Sequence, residues 1–223
     1  MSSYSVNNLN KVIRGSKRAT YNIEEIDAIA DAGFLCHVGY EFEGQTIVLP
    51  MAYGKIGQTF YLHGSLKNRM LTNLISSGKA CLSITHLDGL VLARSGFHHS
   101  ANYRAATIFG TTRMVQDRDE KMKALESVVN QMVPDHWDTL REMNEKEFKS
   151  TLVVAVDVTT ASAKIRAEGV IDEKEDQNLP VWAGVIPIKQ IAEAPITAPD
   201  VPKEVEIPES VKDYASKNSF LKL

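Results

Sequence analysis

The sequence predicts a mainly β domain of the α+β class, in which an antiparallel barrel carries peripheral helices. Short runs rich in β-branched and aromatic residues follow one another at the spacing of hairpins. Predicted helices fall between groups of strands and do not alternate with single strands. Neither a GxGxxG motif nor the phosphate-binding loop GxxxxGKS/T occurs. These observations favour an antiparallel barrel over a parallel, doubly wound sheet.

The composition is that of an ordinary globular protein. Of 223 residues, 43% are hydrophobic and 24% are charged, so the chain can bury a core without disulfides or metal. The net charge of −3 argues against a nucleic-acid partner. Cys36 and Cys81 lack metal-ligand or redox spacing, which favours a reducing compartment. With no signal-like start and no apolar run of about 18 residues, we expect a cytoplasmic protein without a membrane partner.

The first half of the chain predicts a helix, three strands and a second helix. Asn22 is the predicted N-cap of the first helix, with Glu25 three residues further on, and Gly33 is its predicted stop. Strands are predicted at 34–40, 46–53 and 58–63. A short helix at 66–76 would bury one apolar face and end before Gly78.

The second half predicts three strands, two helices and a final pair of strands. The three strands lie at 80–87, 90–95 and 105–115, with Asp88-Gly89 as a tight turn between the first two. The helices are predicted at 117–133 and 137–148. The final strands are predicted at 151–158 and 163–171.

The predicted organisation is one domain with two extensions. Residues 1–17 form an N-terminal tail, and residues 18–187 form the domain. Residues 188–223 form a proline-rich C-terminal extension, because six prolines lie between Pro180 and Pro208. Such a stretch should run over the surface or reach a partner.

The segment 63–69, with the sequence HGSLKNR, is the most informative polar segment. It lies where a predicted strand becomes a helix, and a helix N-terminus offers free N–H groups and partial positive charge to a phosphate. Ser65 could cap the helix or donate to an oxygen, while Lys67 and Arg69 supply cationic donors. The alternative is an ordinary capped helix with two solvated basic residues.

The segment 94–104 is the second concentration of polar residues, and it links two predicted strands. It brings Arg94, His98, His99, Asn102 and Arg104 into a short connection, which is typical of a site carried by a rigid scaffold. The adjacent histidines could bind a metal, but no carboxylate or cysteine lies at ligand spacing, so we predict no metal site. A structural role for the segment is equally compatible with its sequence.

The two cysteines, the absence of a serine-hydrolase motif and Trp182 also bear on the possible chemistry. Cys36 and Cys81 lie in predicted strands, where a buried thiol behaves as a small hydrophobe. No Gly-x-Ser-x-Gly motif supports a serine hydrolase. Trp182, in a stretch bounded by prolines, could lie flat over a planar ring or anchor the extension on its own domain.

Taken in order, six short motifs make the sequence similar to the FMN-binding split-barrel superfamily that contains pyridoxamine 5′-phosphate oxidase. The branch it most resembles contains 5-nitroimidazole-resistance proteins. The motifs are 50–53 (PMAY), 61–65 (YLHGS), 88–95 (DGLVLARS), 99–104 (HSANYR), 109–110 (FG) and 182–187 (WAGVIP). The resemblance implies a split antiparallel β-barrel that forms a homodimer with FMN at the subunit interface.

The resemblance also implies which residues hold FMN. Ser65, Lys67 and Arg69 would hold the phosphate, residues 51–53 would run beside the isoalloxazine, and Trp182 would close the site. The full set of predicted cofactor residues is Met51, Ala52, Tyr53, His63, Ser65, Lys67, Arg69, Thr85, Ser95 and Trp182.

The predicted function is an FMN-dependent oxidoreductase that acts on a small molecule, with NAD(P)H as a possible electron donor. Tyr53, His99 and Arg104 are the predicted catalytic residues, as a proton donor or anion clamp on the substrate side. Residues 218–223 do not match the arginine-rich C-terminal signature of pyridoxamine 5′-phosphate oxidase, so vitamin B6 oxidation is not predicted.

Two alternatives stay open. The protein could hold flavin or haem without turnover of its own, with His98 and His99 as haem ligands. The fold could also keep the dimer and have lost the cofactor.

Overall fold

The computed structural model describes residues 2–219. Within that range the chain forms nine β-strands and five α-helices. The strands are β1 (Ala19–Thr20), β2 (Leu35–Phe42), β3 (Gln45–Ala52), β4 (Gly54–Ile56), β5 (Thr59–Ser65), β6 (Lys79–Leu92), β7 (Ser100–Met114), β8 (Thr151–Arg166) and β9 (Gly184–Pro187). The helices are α1 (Ile23–Asp31), α2 (Arg69–Ser77), α3 (Arg118–Met132), α4 (Glu145–Ser150) and α5 (Glu209–Ser219).

The strands form one mostly antiparallel sheet in the order β3-β2-β6-β7-β8-β5-β4, with β1 paired to β8 and β9 paired to β6. This architecture confirms the predicted mainly β class with peripheral helices. The chain divides into two compact units. The first unit comprises residues 2–30, 83–108 and 160–189, and the second comprises 31–82, 109–159 and 190–219.

The second unit is built on two hairpins and α3. The β2–β3 hairpin turns at Glu43 and Gly44, both with positive φ (51° and 72°), a conformation that glycine adopts without strain. Helix α3 packs against β4 and β5 over a buried apolar cluster. A Cβ on Gly54 would lie only 2.1 Å from the Ser127 hydroxyl and 2.5 Å from the Val128 nitrogen. Only glycine therefore lets α3 approach β4 this closely.

The first unit is held by α1 and by buried polar contacts. Ile26 and Ile29 of α1 are buried, and the Ile29 carbonyl lies 2.9 Å from His86 Nε2. The buried Asn10 amide donates to the Thr160 hydroxyl at 2.6 Å and to the Ala161 carbonyl at 3.2 Å. These bonds satisfy the polar groups where the N-terminal residues cross β8.

The predicted tight turn at Asp88-Gly89 is wrong. Strand β6 continues through both residues to Leu92, and β9 pairs with it from Gly89 onward. A Cβ on Gly89 would meet the Ile186 carbonyl at 3.1 Å. This glycine therefore permits a close approach of β9 and does not turn the chain.

Three further element predictions need correction. The two strands predicted at 151–158 and 163–171 are one strand, β8. The helix predicted at 137–148 is a single 3-10 turn, Trp137–Thr139, followed by α4, which starts at a capping box between Asn144 and Glu147. Strand β9 and helix α5 form where only irregular chain was predicted. The end of the C-terminal sequence that lacks the arginine-rich signature, 220–223, lies outside the described residues.

Of the helices in residues 2–219, none combines the length and the hydropathy needed to cross a membrane.

Candidate functional site

The segment 63–69 joins β5 to α2 as predicted, but its cap differs from the prediction. Asn68 is the N-cap, because its side chain accepts a hydrogen bond from the Leu71 nitrogen at 3.1 Å. The Ser65 hydroxyl instead accepts from the Lys67 nitrogen at 3.3 Å, within the turn itself. The exposed Ser65 hydroxyl keeps its own O–H for an external acceptor.

Two cations flank this turn and are exposed. The Lys67 ammonium has neither a hydrogen bond nor an ion pair to any residue in the described part of the chain. The Arg69 guanidinium lies 4.5 Å from the centre of the Phe42 ring, which orients it and leaves its edge open to acceptors. By helix geometry, the N–H groups of Arg69 and Met70 have no intrahelical acceptor. The segment is thus a concentration of donors suited to an anion.

His63 and Gly64 lie at the end of β5, immediately before these donors. His63 Nδ1 is buried and has no hydrogen-bond partner among residues 2–219. Burial lowers the pKa of His63, so the neutral imidazole is favoured. A Cβ on Gly64 would lie 3.1 Å from Leu71 Cδ1 and 3.2 Å from the Asn68 amide nitrogen. The chain therefore passes close to the start of α2 at Gly64.

The residues predicted beside the isoalloxazine end β3 and follow it. Met51 and Ala52 are half-buried, and the Met51 carbonyl accepts from Cys36 Sγ at 3.5 Å. Tyr53 is wholly buried, and its hydroxyl donates to the Gly33 carbonyl at 3.0 Å. Burial raises the pKa of Tyr53 well above its usual range. This geometry favours a packing role for Tyr53 over the predicted proton donation to a substrate.

The segment 94–104, in the first unit, is held by ion pairs. Arg94 donates to Asp172 from its backbone nitrogen at 3.0 Å and from its guanidinium at 2.6 Å. Arg104 binds Asp88 through two hydrogen bonds of 3.0 and 2.9 Å. The bond to Asp88 raises the pKa of Arg104. Both guanidiniums are therefore engaged within the protein, and Arg104 is not a free anion clamp.

Asn102 and Arg166 hold the same segment through further hydrogen bonds, to each other and to residues 168 and 169. Asn102 donates to the Glu168 carbonyl at 3.0 Å and accepts from Arg166, which is only 3% exposed. Arg166 also donates to the carbonyls of Glu168 and Gly169, each at 3.1 Å. These bonds support the structural interpretation of Asn102. The sequence does not reveal these partners. Arg166 and Asp172 lie 64 and 78 residues from Asn102 and Arg94, and Asp88 belongs to a predicted turn.

Three of the predicted residues in the first unit are exposed. Thr85 and His99 are exposed, and Trp182 is exposed with its ring against Gly184. The Ser95 carbonyl lies 2.9 Å from His99 Nδ1 and accepts from the His98 nitrogen at 3.2 Å. The first unit thus holds the predicted residues Thr85, Ser95, His99, Arg104 and Trp182, and the second holds Met51, Ala52, Tyr53, His63, Ser65, Lys67 and Arg69.

Neither cysteine is placed to act as a thiolate. Burial raises the pKa of Cys36 to about 12 and also raises that of Cys81, so neither is a ready thiolate. In the described part of the chain, no group of three or more His, Cys, Asp or Glu side chains is arranged to hold a metal ion.

The sequence profile for pyridoxamine 5′-phosphate oxidase matches residues 22–165. The chain belongs to this family. Membership of the pyridoxamine 5′-phosphate oxidase family confirms the resemblance found in the ordered motifs and the split-barrel fold class. No curated protein has a sequence that matches the chain significantly.

Two solved structures of this fold are similar to the chain over most of its length. A flavocytochrome from Azotobacter vinelandii is 33% identical with a TM-score of 0.88, covering 93% of this chain and 97% of its own. The FAD and haem binding protein from Mycobacterium smegmatis is 32% identical with a TM-score of 0.84, covering 88% and 97%. A candidate 5-nitroimidazole antibiotic resistance protein from Bacteroides thetaiotaomicron is 22% identical with a TM-score of 0.56, covering 66% and 86%, and shares the fold.

Proposed function

We propose that this protein binds a flavin and works as an oxidoreductase on a small molecule. The observation that carries the proposal is the donor set of segment 63–69. It contains a Lys67 ammonium without a partner among the described residues, an exposed Arg69 guanidinium and the Ser65 hydroxyl. A phosphate is the ligand that such a set fits, because charge-assisted hydrogen bonds and a helix N-terminus both favour an oxyanion.

Different residues of the chain would bind the phosphate and the ring of the flavin. Ser65, Lys67 and Arg69 would bind its phosphate, and the neutral His63 offers a buried ring nitrogen next to them. Met51 and Ala52, in the same unit, remain the proposed contacts of the ring. A bound flavin would supply hydride or one-electron transfer. The protein's own part is to bind, orient and shield the reacting atoms.

The names of two similar proteins support a flavin and bear on which one it is. One is a flavocytochrome and the other is described as binding FAD and haem. The sequence motifs favour FMN, whereas the second name favours FAD. Both carry the phosphate that segment 63–69 would bind, so the two differ only in what lies beyond that phosphate.

Self-association belongs to the same proposal. Val48 and Leu49 of β3 and Leu35 of β2 are exposed apolar side chains, and a second copy of the chain could cover them. The flavin would then lie at a homodimer interface. Sedimentation of the purified protein, alone and with Val48→Glu, tests this, since a monomer in both cases would contradict it.

An absorbance scan of the purified chain tests the cofactor, and an anaerobic titration with NADPH tests the activity. We expect two flavin bands between 350 and 500 nm, roughly the range in which oxidised flavins absorb, and bleaching when NADPH is added. Chromatography of the released cofactor against FMN and FAD identifies it. A chain that shows no flavin bands and takes up neither added flavin would contradict the proposal.

A second candidate is a protein that holds flavin and haem without turnover of its own. It is favoured by the haem named for the Mycobacterium smegmatis protein and implied by the word flavocytochrome. If flavin is bound but neither NADPH nor NADH bleaches it, this candidate gains over the oxidoreductase.

A further inference from the structure

His99 has the geometry of a metal-binding imidazole although it belongs to no metal cluster. Its Nδ1 lies 2.9 Å from the Ser95 carbonyl. A carbonyl only accepts, so Nδ1 carries the hydrogen, and Nε2 is left with a free lone pair. Metal-ligating histidines almost always donate their second N–H in this way, because the bond fixes the tautomer and the ring orientation. The side chain is exposed, so Nε2 is accessible.

Two apolar side chains on or near segment 94–104 are exposed to an unusual degree. Phe97, two residues before it, is 91% exposed, and Ile171 is 55% exposed. Ile171 lies beside the same segment, because its neighbour Asp172 accepts from the Arg94 nitrogen at 3.0 Å. A large flat apolar ligand would remove these side chains from water, which contributes about 25 cal/mol for each Å² buried.

We propose that His99 Nε2 would bind the iron of a haem, with the exposed Phe97 ring available to cover part of the porphyrin. The inference rests on the second candidate function, haem binding, and names the residue responsible. A porphyrin supplies four nitrogens of its own, so one protein imidazole is enough to attach it. The lack of a cluster of three metal-binding side chains in residues 2–219 is therefore compatible with this ligand.

The neighbouring His98 is much less suited to the same role. Its Nε2 lies 3.4 Å from Glu173 Oε1, and its side chain is only 19% exposed. Its ring packs edge-on against Phe97, with the ring centres 5.1 Å apart. A porphyrin approaching this nitrogen would have to displace the carboxylate. His98 is thus a matched control, being the same residue type one position away.

The experiment uses the full chain, as isolated and after titration with hemin. We expect one haem per chain, with an intense Soret band. His99→Ala should lower haem affinity at least tenfold and alter the electron paramagnetic resonance signal of the haem iron. His98→Ala should change the affinity less than twofold and leave the signal unchanged. His99→Met, which offers a thioether in place of the imidazole, should retain haem with a shifted spectrum and a higher reduction potential.

Three outcomes would overturn the inference: no stoichiometric uptake by the unmodified chain, loss of haem in His98→Ala but not in His99→Ala, or an unchanged spectrum in His99→Ala. Circular dichroism of each variant checks that it is folded, and His99→Met gives the answer if the alanine variant is not. Flavin released from each sample is measured separately by fluorescence. A chain with haem and no flavin would contradict the flavin proposal alone, and a chain with flavin and no haem would contradict this inference alone.

Discussion

Segments 63–69 and 94–104 carry similar residues, but their cations are used in opposite ways. In segment 63–69, Lys67 and Arg69 are exposed and make no ion pair with a residue in 2–219. In segment 94–104, Arg94 is paired with Asp172 and Arg104 with Asp88. A cation without a protein partner is available to a ligand, whereas a paired one mainly shapes the backbone. Residue type alone does not separate the two cases.

The first prediction tests whether the polar contacts of segment 94–104 are structural, by removing Arg166, the buried donor that holds the segment. Arg166→Met should lower the free energy of unfolding by about 3 kcal/mol, because the acceptors on Asn102, Glu168 and Gly169 lose their buried, charged donor. Urea denaturation measures the loss. Arg14→Met, at an exposed arginine of the same unit, is the control and should change it by less than about 0.5 kcal/mol. A loss below about 1 kcal/mol for Arg166→Met would show that other contacts hold the segment.

The second prediction tests the availability of the cations in segment 63–69. Lys67→Ala combined with Arg69→Ala should weaken flavin binding about a hundredfold, or about 2.8 kcal/mol. The free energy of unfolding should hardly change, since these cations pair with no described carboxylate. Flavin fluorescence titration measures the affinity, and Lys79→Ala with Lys123→Ala removes two other exposed cations as a control. Equal affinity in the two double variants would place the phosphate elsewhere.

The third prediction concerns the pH dependence of stability, to which the buried His63 of segment 63–69 should contribute. The pKa of His63 is lowered in the folded protein, so the unfolded chain binds a proton more readily as pH falls below about 6.5. Stability should therefore be lost as pH falls from about 6.5 towards the lowered pKa. His63→Asn should reduce this acid sensitivity below that of the unmodified chain. Unfolding at pH 7.5 and 5.5 measures both proteins, and equal acid sensitivity in the two would contradict the prediction.

Local sequence patterns predicted those structural elements that depend on residues close together in the chain. Caps and periodicity predicted α1, α2 and α3 to within a few residues, and the strand-to-helix junction at segment 63–69 followed from them. The capping box between Asn144 and Glu147 was a further local signal, and its position could have divided the helix wrongly predicted at 137–148.

Contacts between distant parts of the chain could not be predicted in the same way. Asp88-Gly89 has the sequence of a turn, but β6 continues through both residues, and β9, about a hundred residues later, pairs with Gly89. Arg94 gains its carboxylate from Asp172, and Asn102 gains its donor from Arg166. The availability of each cation in the two segments depends on such partners, which residue type alone does not reveal.

The smallest expected effect concerns Arg104, the predicted anion clamp that the structure pairs with Asp88. The two side chains are 40% and 36% exposed, so water screens their attraction. In a double-mutant cycle of Arg104→Ala and Asp88→Asn, we expect a coupling of about 0.5 kcal/mol in the free energy of unfolding. Asp88→Asn alone frees the guanidinium while keeping the residue's shape. If Arg104 binds an anionic substrate in spite of its pairing, Asp88→Asn should lower KM and Arg104→Ala should raise it. If the pair is only structural, neither change should move KM, and segment 94–104 would then bind no anion through Arg104.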